Sequence, residues 1–254
     1  AGLRNSLSFL SWQAQNKERL FLSPSSVCDG LTAIRGGVPV CFPQFNQRGN
    51  LPKHGFARNM PWRLVPERSQ GPQKVFELSS NDATLALWPH AFKAFLTVSL
   101  APNSLQMTFT LENHGQQSLS FTGALHTYFA VDAISQVTLQ GQADQPEWDA
   151  VKDTHQKCSG QLRFDAEFDR VYDVQPESQP HWTLSDGSNT LQISQSASWG
   201  QSVVWNPGAD KCAQLKDMPA TGYQRMLWVE AARVTSSIEV LPKQSWVGWQ
   251  LLKL

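Results

Sequence analysis

Leu105-Gln106-Met107-Thr108-Phe109-Thr110-Leu111 is the stretch whose reading decides the fold class. Apolar and polar residues alternate through it. An extended chain sends successive side chains to opposite faces, so this pattern gives one apolar face and one wetter face. Glu112-Asn113-His114-Gly115 then reads as a turn, and Ser118-Leu119-Ser120-Phe121 resumes the alternation. The same signals recur further out. Residues 183–193, from Thr183 to Ile193, read as a hairpin with Asp186-Gly187 at its tip. Val137-Thr138-Leu139-Gln140, Ser236-Ser237-Ile238-Glu239-Val240 and residues 245–252 read as further strands. Helical periodicity is nearly absent, and residues 208–218 are the best candidate for a short helix or irregular insert. Many short strands and few helices predict an all-β protein of stacked antiparallel sheets.

The 254 residues fit one large β domain, and residues 1–254 are read that way. No internal repeat or low-complexity linker divides them. Glu67-Arg68-Ser69-Gln70-Gly71-Pro72-Gln73 reads as a polar surface turn and not a boundary. Twenty-one basic residues balance 21 acidic ones, which argues against a nucleic-acid or membrane-attracted surface. No run approaches the ~18 apolar residues of a membrane-spanning helix. No secretory-signal pattern opens the sequence, so the expected location is the cytoplasm. Cys28, Cys41, Cys158 and Cys212 are irregularly spaced with no C-x-x-C pair, so reduced thiols are expected and no structural zinc site is. Ten tryptophans suit core packing, but an indole also lies flat against a sugar ring.

The chemistry-bearing residues fall in a few segments. Arg35-Gly36-Gly37-Val38-Pro39-Val40-Cys41-Phe42-Pro43-Gln44-Phe45 is followed by Leu51-Pro52-Lys53-His54-Gly55-Phe56-Ala57-Arg58-Asn59. Glycine allows close approach of backbone to a ligand, and arginine offers a planar fork that fits phosphate oxygens in pairs. Ala124-Leu125-His126-Thr127-Tyr128-Phe129, Asp169-Arg170-Val171-Tyr172, Trp205-Asn206-Pro207 and Met226-Leu227-Trp228-Val229-Glu230-Ala231 follow in that order.

Together these blocks resemble the hexose-6-phosphate mutarotase branch of the aldose 1-epimerase family. The resemblance implies a large twisted β-sandwich of the galactose-mutarotase type, with a sugar bound on a concave sheet face. It also implies further strand-forming sequence before Leu10-Ser11-Trp12, so the start at Ala1-Gly2-Leu3 is read as short. The implied reaction interconverts the α and β anomers of aldohexose 6-phosphates, with glucose 6-phosphate as the first candidate. Ring opening needs a base at the O1 hydroxyl and an acid at the ring oxygen O5, and no metal or redox cofactor is required. Glu230, in an apolar strand that raises a carboxyl pKa, is the implied base, and His126 the implied acid. His54 is implied to contact the sugar near O5. Arg35 and Arg58 are implied to hold the 6-phosphate. Lys53 stands where the family often has Gln; it either adds to the phosphate site or faces solvent. Asp169 is implied to bond sugar hydroxyls, against the alternative of a surface pair with Arg170, and Trp205 and Asn206 to complete the wall.

Other readings are weighed on the same residues. A mutarotase of unphosphorylated sugars has no use for paired arginines. A non-catalytic carbohydrate-binding or regulatory protein has no need of both His126 and Glu230. A glycoside hydrolase would use two carboxylates about the scissile bond. The expected partner is a small phosphorylated hexose, and the chain is expected to act as a monomer.

Overall fold

The computed structural model describes residues 9–27, 29, 32–175, 179–187 and 189–254. Two large antiparallel sheets dominate, with the two short α-helices Asp82–Leu87 and Gly208–Ala213 among the described residues. Nine strands form one sheet, in the order Gln161–Leu162, Val137–Gln140, Trp182–Asp186, Asn189–Gln195, Ser245–Lys253, Ser104–Asn113, Phe92–Ala101, Gln73–Ser79 and Arg63–Leu64. The other runs Thr154–Lys157, Pro146–Asp149, Phe168–Asp173, Gln201–Asn206, Met226–Val240, Leu119–Leu125 and Val40–Cys41. Tyr128–Ala130 also pairs with Met226–Val240 in this second, eight-stranded sheet.

The alternating stretch behaves as its pattern requires. Leu105, Met107, Phe109 and Leu111 are buried on one face of Ser104–Asn113. The hairpin forms between Trp182–Asp186 and Asn189–Gln195, with Gly187 at φ 60° in the turn and Ser188 outside the described residues. Residues 208–218 begin with the helix Gly208–Ala213. The two stretches read separately as 226–231 and 236–240 are one 15-residue strand, whose register to Leu119–Leu125 shifts between Arg233 and Ile238. The helix Asp82–Leu87 has a plain sequence signal of its own. Asn81 accepts from the Thr84 N–H while the Thr84 hydroxyl accepts from the Asn81 N–H.

Between the sheets lies the main core, where Leu227, Val229 and Ala231 of one sheet join Met107, Phe109 and Leu111 of the other. Phe42 is a hub of this core, with ring centroids of Trp88, Phe92, Phe109 and Phe121 within 5.3–5.5 Å. It anchors the segment that carries the arginines and His54. Polar ties also cross the core. Gln250 donates its Nε2–H to the Val229 carbonyl (3.0 Å) and accepts from the Thr127 hydroxyl. Trp182 Nε1 donates to Ser202 Oγ (3.0 Å), whose hydroxyl donates to the Glu230 carbonyl (2.9 Å). The nine-stranded sheet therefore holds the backbone beside His126 and Glu230 from behind.

Candidate active site

The outward face of the eight-stranded sheet lines a cavity of about 410 Å³. Small-molecule sites are typically roughly 300–1,000 Å³. Alternation along the strands chooses the lining. Leu227 and Val229 face the core, so Trp228 and Glu230 face the cavity. In register beside them, Trp205 pairs with Trp228 and with Asp169, while Val203 pairs with Glu230 and with Val171. The segment 35–58 and the helix Gly208–Ala213 with its following loop supply the rim, contributing Arg35, Lys53, His54, Arg58, Lys211 and Asp217.

His126 and Glu230 meet on the cavity floor, with Nε2 3.5 Å from Oε1. Both side chains are almost wholly buried yet line the cavity. Burial pushes the Glu230 carboxyl well above its usual range, with the Asp169 charge adding in the same direction. Burial also holds the His126 imidazole well below its usual range, with His54 and Arg58 adding to the effect. Glu230 Oε2 and His126 Nδ1 are buried without hydrogen-bond partners. Buried polar atoms are normally satisfied, so these two are unspent hydrogen-bonding capacity at the cavity floor.

His54 stands over this pair with its ring perpendicular to that of His126, centroids 5.2 Å apart. Its backbone is left-handed at φ 65°, a costly conformation for a residue with a side chain. Gly55 follows at φ 69°, and a Cβ there would lie 2.1 Å from the Phe42 carbonyl oxygen, so glycine is required. His54 Nδ1 accepts from the Asn46 N–H (3.3 Å) and lies 3.2 Å from Cys41 Sγ. That leaves the ring proton on Nε2. Burial, reinforced by Arg58, Lys53 and Arg35, lowers its pKa to about 3, so it is a neutral hydrogen-bond donor. Cys41, His54 and His126 place donor atoms within 4.8 Å of one another, a combination that can ligate zinc. Here the His54 lone pair is engaged, and Arg35, Lys53 and Arg58 share the space, opposing a dication.

Arg35 donates Nε–H and Nη2–H to the two carboxylate oxygens of Asp217, both at 3.0 Å. Arg58 donates to the Lys53 carbonyl (2.8 Å), while its Nε is buried without a partner. Lys53 is exposed at the rim, and burial together with Arg35, Arg58 and Lys211 lowers its pKa. Asp169 lies in the cavity wall, where burial and then Glu167 raise its pKa to about 6. Its alternative as a surface partner of Arg170 does not hold. Arg170 points to the other side of the strand and pairs with Glu147 and Asp149. Trp205 and Trp228 stack with centroids 3.8 Å apart, and Tyr128 packs edge-on against Trp228.

The structure thus brings His126, Glu230, Arg35, Lys53, His54, Arg58, Asp169 and Trp205 around one cavity. Asn206 is corrected: its amide donates to the carbonyls of Tyr223 and Met226 and accepts from the Gly208 N–H, so it fixes a turn behind the wall. The expected close approach of glycine to a ligand is also corrected, since Gly36, Gly37 and Gly55 abut protein backbone instead. Cys41, Cys158 and Cys212 are buried free thiols, and Cys28 lies outside the described residues. His181 is a buried structural histidine, with Nδ1 accepting from the Gln195 N–H. Sequence reasoning missed Tyr128, Lys211 and Asp217. Tyr128 carries a signal, two residues from His126, whereas Lys211 and Asp217 reach the cavity only through the tertiary path of their loop.

Comparison with known proteins gives a consistent result. Residues 8–253 match the aldose 1-epimerase family. A candidate glucose-6-phosphate 1-epimerase of the grass Cenchrus ciliaris is 34% identical over 251 residues, 94% of this chain and 76% of that protein. One from Escherichia coli K12 is 35% identical over 240 residues, 91% and 78% of the two chains. Among solved structures, a candidate mutarotase from Salmonella typhimurium superposes with a TM-score of 0.86 at 28% identity, covering 97% of this chain and 83% of that one. A galactose mutarotase-related enzyme from Lactobacillus acidophilus shares the fold at 12% identity, with a TM-score of 0.74 over 94% and 88% of the chains.

Proposed function

This chain belongs to the aldose 1-epimerase family, and from that premise we propose that it interconverts the α and β anomers of an aldohexose 6-phosphate, glucose 6-phosphate first. The observation that carries the reading is the buried His126–Glu230 pair, 3.5 Å apart at the floor of a cavity rimmed by Arg35, Lys53, Arg58 and Lys211. A carboxyl group and an imidazole suffice for the chemistry. Glu230 takes the O1 proton, the C1–O5 bond breaks as C1=O1 forms, and His126 gives O5 a proton. Rotation about C1–C2 turns the other face of the aldehyde to O5. Closure returns the O5 proton to His126 and the Glu230 proton to O1.

The opposed environments of the two groups suit this cycle. Before opening, the pair is carboxylate with imidazolium; after it, carboxylic acid with neutral imidazole. The two states hold the same number of protons, so the net charge of the cavity does not change. Burial favours the second state, the one that accompanies the open aldehyde. In this reading His54 Nε2–H steadies the ring oxygen, Asp169 accepts from sugar hydroxyls, and the Trp205–Trp228 stack carries the apolar face of the ring. The cationic rim supplies charge-assisted hydrogen bonds to the phosphate, for which the unpartnered Arg58 Nε–H is available.

Anomer-exchange NMR on glucose 6-phosphate, glucose and galactose tests this. Faster exchange of the phosphorylated sugar is expected. Arg58→Ala should raise KM for glucose 6-phosphate about tenfold, the order of one lost charged hydrogen bond, with little change for glucose. Equal effects on the two sugars would remove the phosphate from the reading and leave a mutarotase of free aldoses.

A further inference from the structure

A guanidinium has two edges that can grip an oxyanion in pairs: the Nε–Nη2 side and the Nη1–Nη2 end. Asp217 occupies the first edge of Arg35, with both hydrogen bonds at 3.0 Å. The Tyr128 hydroxyl lies beside the same guanidinium, and the Trp228 ring lies 5.8 Å from Cζ. Arg35 is therefore bracketed along one edge and against one face, and both it and Asp217 line the cavity.

The bracket is built into the chain. Ser23 donates its hydroxyl to the Asp217 carbonyl (2.7 Å) and its N–H to the Arg35 carbonyl (2.9 Å). Ser26 Oγ accepts from the Arg35 N–H (2.9 Å). Next to Asp217, Met218 is buried against Cys212, Trp205 and Trp228. A fixed backbone on both sides sets the carboxylate before any ligand arrives. With side-chain exposures of 19% and 29%, the pair is too wet to contribute much to stability, so its bearing is on geometry.

We propose that Asp217 is a positioning residue for substrate specificity: by holding the Nε–Nη2 edge of Arg35, it presents the Nη1–Nη2 end to the phosphate of a phosphorylated sugar. This rests on the phosphate reading above. A flexible arginine would lose rotamer freedom on every binding event, whereas a bracketed one has already lost it. Asp217 also cancels one positive charge beside the anion, so its benefit lies in orientation and not in attraction.

The test is steady-state kinetics of the wild type, Asp217→Ala, Asp217→Asn, Arg35→Ala and the Arg35→Ala/Asp217→Ala double variant. Glucose 6-phosphate and glucose are the substrates, with inorganic phosphate as a competing inhibitor. Asp217→Ala should raise KM for glucose 6-phosphate and the inhibition constant of phosphate about tenfold, leaving glucose within about twofold. Asp217→Asn, which keeps one acceptor, should fall between. In the Arg35→Ala background the Asp217 change should add nothing, because it acts through Arg35. A lower KM in Asp217→Ala would make Asp217 a competitor of the phosphate and overturn the proposal. So would equal losses on both sugars, an unchanged KM, or additivity with Arg35→Ala. A wild type indifferent to the phosphate would overturn both this proposal and the reading it rests on.

Discussion

The strand Met226–Val240 has two faces that are equally buried and differently finished. On the core side, Leu227, Val229 and Ala231 meet other apolar side chains, and the backbone between them is tied by Gln250 and Ser202. On the cavity side, Trp228 and Glu230 are buried to nearly the same degree, yet Trp228 Nε1 and Glu230 Oε2 have no partner. His126 Nδ1 and Arg58 Nε, which border the same space, share that condition. At positions 227, 229 and 231 the core side carries no polar side-chain atom, whereas the cavity side gathers four without partners. Single orphaned atoms occur in the core as well, at Tyr172 Oη and Trp199 Nε1, so what marks the site is the convergence of several on one cavity.

Exchanging single atoms on the cavity face should break this comparison most visibly. Glu230→Gln keeps the shape but removes the proposed proton acceptor, so kcat for anomer exchange should fall by about 10²–10⁴-fold, the usual worth of a positioned acid or base. The thermal midpoint should hold or rise, because a buried ionisable group is gone. Exchange NMR and a melting curve read the two effects, and near-normal turnover would remove Glu230 from the mechanism. On the core face the balance reverses. Leu227→Ala should cost about 2–5 kcal/mol in urea unfolding through the cavity it leaves, while folded protein keeps most of its kcat. A loss of kcat as severe as that of Glu230→Gln would mean that the two faces are not separable.

The smallest effect is a matter of pH. The Asp169 pKa is raised to about 6, above the ~3.9 of an unfolded aspartate. Between those values the native state holds a proton that the unfolded chain gives up. Stability should therefore decline as pH rises from about 4 to about 6, and it should level off above that as far as Asp169 is concerned. Asp169→Asn should flatten this part of the profile in urea titrations run at several pH values. An unchanged slope would show that Asp169 is not the group responsible.

How far the sequence carried the reading follows from the range of each signal. The alternation of 105–111 and the hairpin at Asp186-Gly187 are local properties of extended chain, and they appear as expected. The long strand Met226–Val240 was read as two pieces because its middle, with Arg233 and Thr235, breaks the apolar pattern at a register shift that only the pairing with Leu119–Leu125 exposes. The resemblance brought His126, Glu230, His54 and the arginines together because each sits inside a continuous motif. Asn206 sits in a motif too, but its side chain bonds a turn and not the cavity. Asp217 has no local mark, since its partner Arg35 lies 182 residues away.

The place of the strand Ser245–Lys253 has a consequence for the order in which this molecule comes to exist. It lies inside its sheet, between Asn189–Gln195 and Ser104–Asn113, and it carries the glutamine that supports Thr127 and Val229. A chain ordered only as far as residue 244 would have two open sheet edges and would lack the Gln250 ties behind the His126–Glu230 pair. Insertion of this strand closes both edges over long sequence separations, the kind of step that makes β topologies slow to mature. Completion of the cavity floor should therefore wait on the docking of this strand.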